Sequence, residues 1–316
     1  MTQRAPLVSV GFPVYNGAAY LAEALEALLA QTLEDFEVII CDNASTDGTE
    51  AICRSFAQRD PRVRYMRHAT NRGLVWNHRF ALDQATGRYF VWANHDDRHA
   101  PAFLERCVAA MEADAGVVYV TGQTLVIDEA GQPAGRVPGL EVASPSPHER
   151  FREVIGLGTH RYKGQQGFGV FRTSTLKSVP TLSTHVAFDR SLLAELSLHG
   201  RFVEVPEDLF FYRRHAQQAS SSFQTRAELW VWHDPSKTNR VVLPNVRLGL
   251  DYLQAVRRAP FAGAERRRCY AVLARWPLHY WKLIALDVAR AGLQVGARLR
   301  RRVRPSEPQP THGGGA

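Results

Sequence analysis

The sequence contains no apolar run approaching the roughly 18 residues that a spanning helix needs, and its first residues, Met1-Thr2-Gln3-Arg4-Ala5-Pro6, lack the apolar core of a signal peptide. A cytosolic protein is the expectation. Cysteine is scarce: Cys41, Cys53, Cys107 and Cys269 are scattered without a C-x-x-C pair. That spacing argues against a zinc site and a disulfide framework, so the four read as small buried hydrophobes. Acidic residues are nearly missing from one region. From Arg257 to Arg304 there are 13 Lys or Arg against only Glu265 and Asp287, a local charge of +11 that leaves −3 for the rest of a chain whose total is +8. The basicity therefore belongs to a C-terminal extension, and the main domain carries no polyanion-binding surplus.

At 316 residues with 45% hydrophobic and 22% charged side chains, the chain can bury a full core. Apolar strand-like runs recur about every 27 residues, at 7–12, 36–41, 63–66, 89–93 and 117–121. Between them lie segments of helical period: Tyr20, Leu21, Ala24, Leu25, Leu28 and Leu29 share one face, as do Ile52 with Phe56 and Trp76 with Phe80. Asp47, with Glu50 three residues on, resembles a capping box. Strand and helix alternating at this period predict a mostly parallel, Rossmann-like sheet flanked by helices, with right-handed crossovers.

Such sheets bind ligands beyond the carboxyl ends of their strands. Three segments fall there: Pro13-Val14-Tyr15-Asn16, Asp42-Asn43-Ala44-Ser45-Thr46-Asp47 and Asn94-His95-Asp96-Asp97. All three are expected to open onto one crevice. Residues 131–147 are rich in Pro, Gly and Ser and read as a surface loop between two halves of the domain. Gly164-Gln165-Gln166-Gly167-Phe168-Gly169 has the wrong spacing for a dinucleotide fingerprint and reads as a flexible segment bordering the site. Beyond it, a helix is predicted over 191–198 and strands over 202–205 and 209–213. Amphipathic helices follow from Val246, and 305–316 read as a disordered tail.

Asp96 and Asp97 directly follow a strand, and two adjacent anions at a sheet edge call for a cation. Mg²⁺ or Mn²⁺ shared with a diphosphate meets that need; a solvated turn with a helix-capping Asp before Pro101 is the other reading. Asp42 can accept from a pyrimidine imide or a ribose hydroxyl, or can form an Asx turn. Tyr15 can stack on a flat base, or simply be half-buried.

Taken together, Phe12-Pro13-Val14-Tyr15-Asn16, Asp42-Asn43-Ala44-Ser45-Thr46-Asp47-Gly48-Thr49, Asn71-Arg72-Gly73, and Gly87-Arg88-Tyr89 leading to His95-Asp96-Asp97 resemble the family 2 glycosyltransferases of GT-A fold. The match holds in order and spacing over about 7–121 and more loosely to about 222. The resemblance implies an inverting, non-processive transferase that uses a nucleoside-diphosphate sugar, UDP- or dTDP-linked, with Mn²⁺ or Mg²⁺. It implies that Tyr15 and Asp42 hold the base, Asp96 the ribose side and Asp97 the metal. The wider donor-binding set is Pro13, Asn16, Asn43, Asn71, Gly73, Arg214 and His215. In the family a carboxylate within a Glu-Asp pair is the general base. Here Phe188-Asp189-Arg190 stands at that place, so Phe188 replaces the Glu and Asp189 is the base candidate; a plain helix N-cap is its other reading. Tyr212-Arg213-Arg214-His215, with Ser220 trailing, resembles the family's Tyr-Arg-x-His segment and implies that His215 reaches the diphosphate or the metal. The Q-x-x-R-W motif of processive synthases is absent from the sequence.

Residues 1–130 are thus expected to be the nucleotide-sugar half, 131–225 the acceptor half, and 226–304 a basic helical extension. A sugar-1-phosphate nucleotidyltransferase would need a Gly-rich, basic loop where Pro13-Val14-Tyr15-Asn16-Gly17 stands. A non-catalytic nucleotide-sugar-binding partner subunit is the alternative left open by Phe188. The expected acceptor is a glycan, a lipid-linked glycan or a small molecule of secondary metabolism, in a pathway such as cell-surface polysaccharide synthesis; no nucleic acid is expected, since the C-terminal arginines lack stacking aromatics on a sheet. Arg298, Arg300, Arg301, Arg302 and Arg304, with Trp276, Tyr280 and Trp281 upstream, suit either peripheral contact with an anionic membrane at its inner face or a helical cap on the main domain.

Overall fold

The computed structural model describes residues 4–137, 140–156, 167–179, 187–216, 218, 226–238, 240, 241 and 243–303, the last seven of them in backbone only. Residues 164–166 of the glycine-rich segment, Ser220 and the tail lie outside this set. In chain order the elements are β1 (Val8–Val14), α1 (Leu21–Leu29), β2 (Phe36–Asp42), α2 (Thr49–Arg59), β3 (Val63–Arg67), α3 (Leu74–Gln84), β4 (Tyr89–Trp92), β5 (Arg98–His99), α4 (Phe103–Ala113), β6 (Val117–Ile127) and β7 (Pro133–Val137). There follow α5 (Pro147–Gly156), β8 (Val170–Arg172), α6 (Thr173–Ser178), α7 (Phe188–His199), β9 (Arg201–Arg213), α8 (Arg226–His233), a short turn of 3₁₀ helix at Pro235–Lys237, α9 (Pro244–Arg258) and α10 (Gly263–Val303).

The sheet runs β3-β2-β1-β4-β8-β6-β9-β5, with β7 paired to residues 124–127 of β6, beyond the two that pair with β8. The first four strands are parallel, as their spacing predicts. Every residue of β1 and β2 is buried, the mark of a parallel strand covered on both faces. One core packs Val10, Phe12, Val38 and Ile40 against α1, α2 and α4; the other packs Ile39, Phe90 and Trp92 against α3, α5 and α7. Each fully buried aliphatic or Phe side chain contributes about 1.5–3 kcal/mol. All four cysteines are buried and unbridged among the described residues.

Four sequence expectations change. The predicted loop 131–147 contains β7, the second arm of a hairpin whose turn is closed by Asp128 accepting the Gln132 N–H and by Gly131 at φ +80°. The two strands predicted over 202–213 are one strand, β9. Pro206, which has no N–H to give, falls where the pairing slips from Gly122–Val205 to Gln123–Asp208. Asp47 accepts the N–H of Thr49, but Glu50 turns to Arg54 and Arg67 instead of closing a capping box. Lastly, the helix predicted over 191–198 is longer, running from Phe188 to His199. The C-terminal helices pack as a cap would: Leu248, Tyr252, Cys269, Trp276 and Tyr280 belong to the same core as Phe151 and Leu193. No helix among the described residues is long and apolar enough to cross a membrane.

Candidate active site

The loops after β1 and β2 are tied together by their own polar groups. The chain leaves β1 through Asn16, at φ +51°, a conformation Asn tolerates better than most residues. The Asn16 N–H donates to Ser45 Oγ (2.9 Å) and its Oδ1 accepts the Thr46 N–H (2.8 Å). Gly17 N–H donates to Thr49 Oγ1 (2.9 Å) and Ala18 N–H to Asp47 Oδ2 (3.1 Å). Burial raises the Asp47 carboxyl, but its hydrogen bonds with the Thr49 side chain and N–H and with the Ala18 N–H outweigh that and hold it below its ordinary range. Beneath them Asp42 is fully buried: Oδ1 accepts the Ser45 N–H, Oδ2 accepts the Tyr65 hydroxyl, and Arg67 Nε lies 3.3 Å away. Its carboxylate shapes the loop floor. Pro13 is buried, whereas Tyr15 is exposed at the rim.

A third loop joins through Asn43. Its Nδ2 donates to Asn71 Oδ1 (2.8 Å) and to the Gly73 carbonyl (3.2 Å), and its Oδ1 accepts the Arg72 N–H (2.9 Å). Asn71 Oδ1 also accepts the Gly73 N–H. Gly73, at φ +90°, is required twice over: a Cβ there would sit 2.6 Å from the His233 carbonyl and 2.7 Å from Pro235.

Across the crevice, Asp96 and Asp97 take opposite roles. Asp97 is 1% exposed; Oδ1 accepts the Arg213 N–H (3.0 Å) and Oδ2 accepts from Asn94 (2.9 Å). Burial and the adjacent Asp96 push its carboxyl well above the usual carboxylate range. Asp96 is the more open of the two, its Oδ2 3.1 Å from His215 Nε2. His95, its ring against Gly17, links this segment to the β1 loop, and Tyr20 lies 5.0 Å from the His215 ring.

Arg213, not the neighbouring Arg214, is the structural centre of this side. Buried to 1% exposure, it donates from Nε to the Asp96 carbonyl (3.0 Å), from Nη1 to the carbonyls of Asp128 (3.3 Å) and Glu129 (2.9 Å), and from Nη2 to Glu23 (2.6 Å). Its guanidinium also lies over the Tyr20 ring, 4.6 Å from the centroid. Arg214 is exposed, and its N–H donates to the Ile127 carbonyl. Sequence reading puts Tyr20 on the apolar face of α1 and Arg213 in a motif without a role of its own, and gives Glu23 no part. The Tyr-Arg-Arg-His run marks the place, but nothing in spacing connects it to Glu23, 190 residues earlier.

Asp189 heads α7, where its Oδ1 accepts the Arg190 N–H (2.8 Å) and its charge acts on the buried Tyr252 of α9. The Phe188 ring packs between His78 of α3 and His233 of α8, at 6.1 and 6.0 Å, and burial lowers the His78 pKa to about 4.

The residues present fit a divalent ion in a limited way. Among the described residues, no group of three or more His, Cys, Asp or Glu could hold a metal. Asp96 and His215 offer one oxygen and one nitrogen, and the buried His215 Nδ1 has no hydrogen-bond partner among the described residues. Mg²⁺ and Mn²⁺ accept so few protein ligands when substrate phosphates complete the shell. Asp97 has both oxygens engaged.

A sheet with four parallel strands and helices packed on both faces defines the GT-A class of α/β fold. The same fold occurs in Staphylococcus aureus TarS 1–349 in complex with UDP-GlcNAc (TM-score 0.61, 18% identity, covering 86% of this chain and 73% of that one). It also occurs in the mannosyltransferase PcManGT of Pyrobaculum calidifontis in complex with GDP-Man and Mn²⁺ (TM-score 0.52, 18% identity, 95% and 81%). Residues 9–165 match the description "Glycosyl transferase family 2". EpsE of Bacillus subtilis (strain 168) is 36% identical over 133 residues, covering 42% of this chain and 48% of that protein, so the chain spans about half the length of this relative. Residues 9–165 thus form a family 2 glycosyltransferase domain.

Proposed function

We propose that the chain is an inverting, single-transfer enzyme that moves a sugar from a UDP- or dTDP-linked donor to a hydroxyl of a glycan, a lipid-linked glycan or a secondary metabolite. The observation that carries this reading is the hydrogen-bonded union of the loops after β1 and β2 with the Asn71–Gly73 corner, facing the Asp96–His215 pair. The nucleotide-sugar complexes of TarS and PcManGT support it by fold. In this reading residues 1–130 hold the donor and 131–225 the acceptor. Tyr15 stacks on the base; Asn16, Asp42, Asn43, Asn71 and Gly73 set the loop backbone that receives it.

Asp96 and His215 would hold Mn²⁺ or Mg²⁺ together with the donor diphosphate, with Asp97 as the buried anchor of the turn instead of a ligand. The ion supplies charge neutralisation to the leaving diphosphate. Arg214, exposed beside His215, adds positive charge to the same side. Asp189 takes the proton of the acceptor hydroxyl. The acceptor oxygen bonds to the anomeric carbon as the bond from that carbon to the diphosphate breaks, its electron pair leaving with the diphosphate. One base and one in-line displacement invert the anomeric centre.

A thermal-shift screen of nucleotide sugars with and without Mn²⁺ tests the donor assignment. A matched donor raises Tm by mass action, more so with metal; no shift with any UDP- or dTDP-sugar refutes it. Phe188 favours one second reading, a binding subunit without turnover. Donor-induced stabilisation with no sugar transfer or donor hydrolysis would select that reading.

A further inference from the structure

The fold uses only one face of α10. Cys269, Trp276, Tyr280, Asp287 and Ala291 face inward: Trp276 packs edge-on against Tyr252 (5.5 Å between centroids), and Asp287 accepts from the backbone N–H and side chain of Asn245. On the other side, beyond the kink at Tyr280, Trp281, Val288 and Val295 recur seven residues apart and form one stripe, exposed by 59, 57 and 44%; Leu278, 76% exposed, lies before the kink. The adjoining row, which begins at Lys282, adds Leu286 and Leu293. Single exposed apolar residues are ordinary on a protein surface, but a continuous stripe marks an interaction site.

Charge identifies the partner. The exposed charged side chains of α10 between 266 and 296 are Arg267, Arg268, Arg275, Lys282 and Arg290, all cations. The helix's two acids are turned to other work, Glu265 to His148 and Arg268, and Asp287 to Asn245. Pairing two copies along this stripe would set cations against cations, which is unfavourable. An anionic bilayer satisfies both features: the acyl boundary takes the apolar stripe and the headgroups take the cations. Trp281 and Lys282, with the ammonium 5.8 Å from the indole centroid, are residue types that settle at that depth.

We propose that this face of α10 lies in the surface of an anionic lipid bilayer. The inference rests on the helix alone and does not depend on the donor or the acceptor.

Cosedimentation of the full chain with vesicles of phosphatidylglycerol and phosphatidylcholine, against phosphatidylcholine alone, tests it. Binding is expected to the anionic vesicles only, and to weaken at least about tenfold between roughly 0.01 and 0.15 M salt as the Debye length shortens. The double variant Trp281→Glu/Val288→Glu, at two exposed positions, is expected to lose binding about 100-fold with an unchanged thermal melt. Lys282→Gln/Arg290→Gln is expected to weaken it roughly tenfold or more. The proposal is overturned if the parent chain stays in the supernatant at low salt, if the Glu variant binds as the parent does, or if neutral vesicles bind equally. It is also overturned if the lipid-free chain is a dimer that the Glu variant makes monomeric, which would give the stripe to a second copy.

Discussion

Replacing Arg213 tests whether one buried guanidinium holds the Asp96–His215 side of the candidate site together. Arg213→Met keeps the apolar stem and removes the donors that serve the carbonyls of Asp96, Asp128 and Glu129 and the carboxylate of Glu23. Glu23 is 43% exposed and rehydrates, so its share is discounted. The three carbonyls lose charge-assisted bonds, each about 1.5 kcal/mol or more, and Asp97 loses a nearby cation that favours its ionised form. Breaking one side of a buried charged network costs about 3–5 kcal/mol, which lowers Tm by roughly 5–15 °C for a chain of this size. Arg213→Lys is expected to recover little, since one ammonium cannot follow the planar fork. Arg214→Met, at an exposed side chain, is the control and is expected within about 0.5 kcal/mol of the parent. Urea unfolding of the three variants decides the matter. A difference between Arg213→Met and Arg214→Met below about 1 kcal/mol would refute the reasoning.

Asp189→Asn keeps the shape of α7 and removes the proton acceptor; donor-induced stabilisation is expected to persist while transfer falls roughly 10²-fold or more, and an unchanged transfer rate would place the base elsewhere. Asp96→Asn and His215→Ala are each expected to weaken Mn²⁺-dependent donor binding by at least about tenfold, an effect that chelation reproduces in the parent and that titration calorimetry reads. Gly73→Ala meets both the φ of +90° and the His233 carbonyl, so a loss of about 1–3 kcal/mol is expected by chemical denaturation. Burial lowers the pKa of His78 to about 4 and of His99 to about 3. The unfolded chain therefore binds more protons, and stability is complete above about pH 6.5 and lost as pH falls towards 4; for His78 alone the difference is roughly 3 kcal/mol. His99 Nε2 is buried without a partner among the described residues, its ring beside Phe103 and Phe210, so His99→Phe is expected to raise stability by about 1 kcal/mol at pH 7 and by more at pH 5.

The parallel half of the sheet is legible in sequence because each strand is long, apolar and buried on both faces, so its run stands out between turn residues. β8 is not legible. Its three residues, Val170–Arg172, are antiparallel to both neighbours and belong to the sheet only because β4 and β6 leave a gap between them. The same holds for the two residues of β5, which pair with Phe210 and Phe211 far along the chain. The C-terminal helices show a different limit. Their arginines dominate the composition, yet the inward face of Tyr252, Cys269 and Trp276 decides where they pack. Charge counting sees the solvent side of an amphipathic helix and is blind to the side that folds.

Motif reading groups the loops of the candidate site but does not give the contacts within them. Asp42 lies where the motif puts it, but its two oxygens serve Ser45 and Tyr65, a division that depends on β3 lying alongside β2. For the Asp96-Asp97 pair, the family resemblance gives Asp96 to the ribose side and Asp97 to the metal, but not their contacts. Asp97 turns inward because the last residue of β9 presents its N–H there, 116 residues later. The same residue fixes the Asp96 carbonyl through its side chain and so leaves the Asp96 carboxylate beside His215. Which carboxylate stays open is therefore decided by where β9 ends, a pairing that nothing within residues 94–97 encodes.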